Sequence, residues 1–117
     1  MSRILKIKEN RDFRRAYAKG KTLVTPFAVV YVLKNRVGKV RLGITAGKKI
    51  GKAVMRNRAK RVITAAFADC LPNLFTGYDY VIVARVRILS AKSTDVALAL
   101  KKAFISQNMY GINQENE

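Results

Sequence analysis

From Phe13 through Ala68 the chain carries fifteen lysines and arginines and not one aspartate or glutamate. Such a segment has little internal partner for its charge. The partner for that charge is therefore expected outside the fold. The densest part is Gly47–Arg61, GKKIGKAVMRNRAKR, with seven basic residues in fifteen. A polyphosphate is the natural partner, because each neutralised phosphate releases condensed counterions. The whole chain, 117 residues with net charge +17, agrees with that sign. The sequence reads first as a nucleic-acid binder.

The acids are scattered at Glu9, Asp12, Asp69, Asp79, Asp95, Glu115 and Glu117; histidine is absent, and Cys70 is the single cysteine. These absences remove the imidazole general base, the Ser-His-Asp and Cys-His arrangements, and a zinc site of ordinary ligand count. A carboxylate-held magnesium site remains open, since distant acids can meet in a fold. One cysteine forms no internal disulfide, which points to a reducing, cytoplasmic setting. Cys70 itself reads as a small buried hydrophobe. The N-terminal MSRILKIKENRDF is too charged for a signal peptide, and no run approaches the roughly 18 apolar residues of a membrane span.

Half of the residues are apolar, enough for one core. With no repeat or linker, a single RNA-binding domain is expected over residues 1–117, ordered from about 5 to 110. Asn10 is a candidate N-cap for a helix carrying Phe13 and Tyr17 on one face and ending at Gly20. Residues 22–25 form a short extended piece. Residues 27–33 (FAVVYVL) and 40–45 (VRLGIT) read as strands joined by turn residues 35–38, an antiparallel hairpin. Phe27 and Tyr31 then share one strand face.

After a basic loop at 47–51, a helix is expected from about Lys52 to Cys70. Its apolar face holds Met55, Ala59, Val62, Ile63, Ala66, Phe67 and Cys70. Leu71-Pro72 ends it, and residues 78–86 (YDYVIVARV) make the next strand. A last helix is capped by Ser93 or Thr94, carries Ala97, Leu100 and Phe104, and stops near Gly111 before a frayed INQENE tail. The expected fold is α+β: a small two-layer sandwich with a mixed sheet of three to four strands and three helices, in helix-hairpin-helix-strand-helix order. Residues 40–86 contain a βαβ unit, which the general rule makes right-handed.

With the apolar face of the 52–70 helix against the sheet, Arg56, Asn57, Arg58, Lys60 and Arg61 occupy the remaining arc. Arg56 and Lys60 form one row, while Arg58 and Arg61 flank the opposite, exposed side. Arg forks can each reach two phosphate oxygens, and the Asn57 amide suits a base, a 2′-hydroxyl or its own backbone. Lys48, Lys49 and Lys52 surround the helix N-terminus, where unpaired N–H groups already favour an anion. Cations there cost the helix stability that anion binding offsets. Phe13, Tyr17, Phe27 and Tyr31 lie near Arg14, Arg15, Lys19 and Lys21. They are either core or a platform on which unpaired bases stack.

The string RLGITAGKKIGKAVMRNRAKRVITAAF, Arg41 to Phe67, resembles the signature region of the bacterial ribonuclease P protein subunit. The likeness extends through NRDFRRAY near the N-terminus to YDYVIVAR after the helix, over roughly residues 5–108. The resemblance implies an accessory protein of an enzyme that removes the 5′ leader of precursor tRNA. In that enzyme a large RNA subunit does the chemistry with magnesium ions. It implies the fold of ribosomal-protein-type RNA-binding domains with a left-handed βαβ crossover, against the general rule. It makes Lys48, Lys49, Lys52, Arg56, Asn57, Arg58, Lys60 and Arg61 the surface for the RNA subunit. Phe13, Tyr17 and Tyr31 become leader-cleft residues, no protein side chain is catalytic, and neither a membrane nor a further protein partner is needed. The rivals are a structural RNA-binding protein, a duplex-DNA binder, a membrane-active cationic amphipath and a protein-only nuclease.

Overall fold

The computed structural model describes residues 4–108. Its elements are β1 (Leu5–Lys6), α1 (Asn10–Lys19), β2 (Lys21–Val24), β3 (Ala28–Lys34), β4 (Arg41–Thr45), α2 (Ala53–Cys70), β5 (Tyr78–Ala84) and α3 (Ser93–Ser106). Short 3₁₀ turns occupy Lys48–Ile50, Leu71–Asn73 and Val86–Ser90. The strands form one mixed sheet in the order β1-β4-β5-β3-β2.

Strand β5 sets this order. Five of its seven residues are buried, on both faces of the sheet, which is the pattern of a central strand. It pairs parallel with β4 (Gly43 opposite Val81) and antiparallel with β3 (Tyr31 opposite Val81). The expected 27–45 hairpin therefore does not form, because β5 lies between its two arms. The turn residues were read correctly. The Asn35 side-chain oxygen accepts from the N–H groups of Val37 and Gly38, and Gly38 has φ 77°. Turn chemistry reverses the chain but does not choose the strand partner, and β5, the most buried of the three strands, takes the inner place.

The sheet has five strands rather than three or four. Residues 22–25 contribute β2, and the two-residue β1 adds a parallel edge to β4. Helices α2 and α3 cover one face. Ala59, Ile63, Ala66, Phe67 and Cys70 of α2 meet Val96, Ala97, Leu100 and Phe104 of α3 above Val30, Leu42, Tyr80 and Ile82. The Tyr80 ring stands 5.5 Å from Phe67 and 5.6 Å from Phe104, and its hydroxyl donates to the Phe75 carbonyl at 2.7 Å. That bond satisfies the polar end of a buried aromatic. Helix α1 lies on the opposite face, over Val81 and Ile7.

Several local expectations shift. Glu9, not Asn10, is the cap residue of α1, and Lys92 precedes α3, its backbone N–H donating to Asp95 at 3.0 Å. The strand expected to reach Val86 stops at Ala84. Met55 is 46% exposed, because the first turn of α2 runs past the main core and its side chain lies over Gly51. Phe27 does not share a face with Tyr31. It precedes β3, beside the turn held by Thr25, and packs on the α2/α3 core. Gly111 and the INQENE tail lie outside the described residues. No helix among those described is long and apolar enough to cross a membrane.

Candidate nucleic-acid interface

The face of the sheet beneath α1 is only partly covered, and its aromatic residues gather there. Phe13 and Tyr17, one helical turn apart, have ring centroids 6.4 Å apart. Tyr17 meets Tyr31 of β3 edge-on at 5.1 Å. The Tyr17 hydroxyl shares a 2.9 Å hydrogen bond with Thr45 Oγ1 at the end of β4. Tyr17 remains 40% exposed, so its ring offers surface to a ligand as well as to the fold. Of the four aromatics singled out by sequence, Phe13, Tyr17 and Tyr31 meet here and Phe27 does not. Thr45 was missed, although it falls on the same face of β4 as Arg41 and Gly43 by simple alternation.

Two devices fix α1 over the sheet. Phe13 lies on Gly43, where a Cβ would come within 2.8 Å of two ring carbons. Gly43→Ala is therefore expected to displace the ring and cost about 1–3 kcal/mol, the usual range for overpacking. A thermal unfolding midpoint equal to the wild type would mean that the ring moves aside freely. The second device is ionic. Arg41 of β4 reaches Asp12 of α1 at 3.0 Å and Asp79 of β5 at 3.2 Å. Asp79 is 1% exposed and also accepts from the Asn35 amide at 2.9 Å.

The basic residues line the neighbouring edge. Lys48, Lys49, Lys52, Asn57, Lys60 and Arg61 are exposed, while Arg56 and Arg58 are half-buried. None of these forms an ion pair among the described residues, where the pairs involve Arg15, Arg41 and Lys101. Helix α2 also starts with no side-chain cap and no acid in its first turn. Its first N–H groups add partial positive charge to the lysines before them.

Arg58 departs from its expected exposed place. Its Nη2 donates to the Ala91 carbonyl at 3.3 Å, and its Nη1 is buried without a partner. The loop before α3 closes over this arginine, an approach from 33 residues away that helix periodicity does not reveal.

A groove of about 1050 Å³ at the C-terminal ends of β4 and β5 joins the two regions, with Thr45 and Val83 toward the cleft and Lys48 and Lys49 toward α2. Arg85 and Arg87 add cations that sequence reasoning passed over; Arg85 also donates to the Thr25 carbonyl at 3.0 Å. The signal was the ARVR run at the end of β5, where a strand hands its chain to the ligand-facing end of an α/β sheet.

The acidic groups described are mostly engaged within the fold. Burial pushes the Cys70 thiol up to about 11, so it is not a thiolate at neutral pH. Of the five described carboxylates, Asp12 and Asp79 are held by Arg41, Asp69 by Lys101, and Asp95 by the Lys92 backbone, while Glu9 is exposed beside the start of α1. No group of three or more potential metal ligands comes together among the described residues. Among the described residues this donor set does not make an all-protein magnesium cage.

The ribonuclease P family profile matches residues 1–107. The chain belongs to the ribonuclease P protein family. The ribonuclease P protein component of Thermoanaerobacter sp. strain X514 is 33% identical over 113 residues, covering 97% of each chain. That of Clostridium acetobutylicum is 35% identical over 113 residues, covering 95% of each. The Staphylococcus aureus RNase P protein structure superposes with a TM-score of 0.78 at 30% identity, over 91% of this chain and 97% of that one. The Thermotoga maritima RNase P protein gives 0.76 at 27% identity, over 91% and 98%. Membership of the ribonuclease P family implies a place in tRNA processing, as the protein part of a ribonucleoprotein nuclease.

Proposed function

We propose that this chain, acting as one RNA-binding domain in the cytoplasm, is the protein subunit that binds the RNA of ribonuclease P and the 5′ leader of precursor tRNA. The observation that carries the reading is the pairing of two surfaces: a cationic edge from Lys48 to Arg61 with no ion pair among the described residues, and a half-open aromatic cleft joined to it by the β4–β5 groove. The edge suits the phosphates of a large folded RNA. The cleft suits unpaired bases, which stack on Tyr17, Tyr31 and Phe13. Magnesium is assigned to the RNA subunit and substrate, and bond cleavage to the RNA. The protein reduces repulsion between two polyanions and positions the leader. No further protein partner is invoked.

The test is cleavage of precursor tRNA at low magnesium by the RNA subunit alone, by RNA with this protein, and by protein alone. Strong stimulation with no activity from protein alone is expected. Tight RNA binding without stimulation would instead mark a structural RNA-binding protein, and cleavage by protein alone would overturn the assignment of chemistry to RNA.

Two neighbouring arginines of α2, one exposed and one covered by the loop at Ala91, should also separate. Arg61→Ala is expected to weaken RNA-subunit binding and lower the salt slope by about one. Arg58→Ala, which removes the bond to Ala91, should lower the unfolding midpoint with a smaller change in that slope. The reverse pattern would return Arg58 to the interface.

A further inference from the structure

Strand β1 registers with β4 only at Leu5–Arg41 and Lys6–Leu42, and the chain then leaves for α1. Beside Ile44, where the edge strand has stopped, a notch of about 300 Å³ opens between the sheet edge and α2. Its floor is apolar, made by Ile4, Leu42 and Ile44, and the Phe13 ring contributes a wall. Lys6 and Lys60 supply ammonium groups, both on exposed residues. Thr64 completes the lining; its hydroxyl donates back to the Lys60 carbonyl at 2.8 Å, which leaves oxygen lone pairs to accept.

We propose that this notch receives one unpaired nucleotide of the RNA subunit, its base against Phe13 and the apolar floor and its phosphate between Lys6 and Lys60. The inference rests on the function proposed above. The volume is at the low end of small-ligand cavities, roughly 300–1,000 Å³, and suits a single nucleotide rather than a stacked run. An apolar hole rimmed by ammonium groups complements a nucleotide, which has a flat π-face and an anionic phosphate. The position selects the RNA subunit over the leader. Arg56, Lys60 and Thr64 follow one another at i, i+4 along a single row of α2, so the notch continues the cationic edge. Phe13 stands between it and the side of the cleft where Arg14, Tyr17 and Thr45 lie.

The test uses the assembled holoenzyme. Thr64→Cys, carrying an aryl azide, places a crosslinker at the notch; buried Cys70 stays unreacted, so the label is unique. The expected product is a crosslink to an unpaired nucleotide of the RNA subunit. In parallel, Thr64→Trp fills the notch from an exposed helix position and should weaken RNA-subunit binding by about tenfold, the scale of one lost base stack. Thr64→Ser should leave it unchanged, and a wild-type unfolding midpoint for Thr64→Trp would exclude misfolding. A crosslink to the leader, a crosslink confined to paired RNA, or unchanged affinity of Thr64→Trp would overturn the proposal. Cleavage stimulation would still stand in those cases. Failure of the unmodified protein to bind the RNA subunit would overturn both readings.

Discussion

Arg41→Ala is expected to destabilise the protein by about 3–5 kcal/mol, the usual loss when a buried ion pair keeps only one partner. Arg41 is the one cation placed against Asp79 among the described ion pairs, and the Asp79 side chain is 2% exposed. Without the guanidinium that carboxylate keeps the Asn35 amide, which supplies a hydrogen bond but no charge. Asp12 loses its 3.0 Å contact at the same time and retains Arg15 at 3.6 Å, a looser and more exposed partner. Against a typical total of about 5–15 kcal/mol, the loss is large enough to lower the denaturation midpoint well clear of error. Adding Asp79→Asn to Arg41→Ala should recover part of it, because the isolated buried charge disappears. Arg41→Lys should be intermediate, since one ammonium cannot present the guanidinium fork to both carboxylates. A midpoint for Arg41→Ala within about 1 kcal/mol of wild type would place this pair with ordinary surface ion pairs. The same substitution should loosen α1 over the cleft, so leader affinity should fall further than stability alone requires.

That network was invisible in the sequence, and the reason is physical. Asp12, Arg41 and Asp79 are separated by whole elements, and nothing local says that β4 and β5 lie side by side under α1. Helix α2 is the opposite case. Its stripe of Ala59, Ile63, Ala66, Phe67 and Cys70 repeats within eighteen residues, and the helix starts one residue from the expected place. Periodicity is a property of the element itself. Strand partnership is not, and so the Asn35 turn was recognised while the hairpin it suggested did not form. Strand β1, two residues long, is too short to show any alternation.

The candidate site divides along the same line. Lys48, Lys49, Lys52, Asn57, Lys60 and Arg61 are exposed as their spacing on the loop and helix foretells. Phe13 and Tyr17 are neighbours by helical spacing, but their meeting with Tyr31 and Thr45 depends on where α1 crosses the sheet. Arg58 shows the cost of reading a helix alone, because the surface it would face is covered by the loop at Ala91. Arg85 and Arg87 join the site only because β5 ends beside β4.

Binding to the RNA subunit should be steeply salt-dependent. Lys48, Lys49, Lys52, Arg56, Lys60 and Arg61 are six cations without a carboxylate partner among the described ion pairs, and Arg87 lies on the groove beside them. Neutralising six to ten phosphates reduces affinity by about 10³–10⁵ between 50 and 200 mM monovalent salt. A dissociation constant measured across that range, at fixed magnesium, should give a log–log slope of corresponding size. The proposed leader stacking on Tyr17 and Tyr31 would involve little charge. The affinity gained from a leader, taken as the ratio of precursor to mature tRNA bound by the holoenzyme, should change much less over the same titration. If the two quantities fall together, the cleft is acting as another electrostatic surface and the aromatics contribute chiefly to the fold. If neither falls, the unpaired edge of α2 is not where the RNA lies.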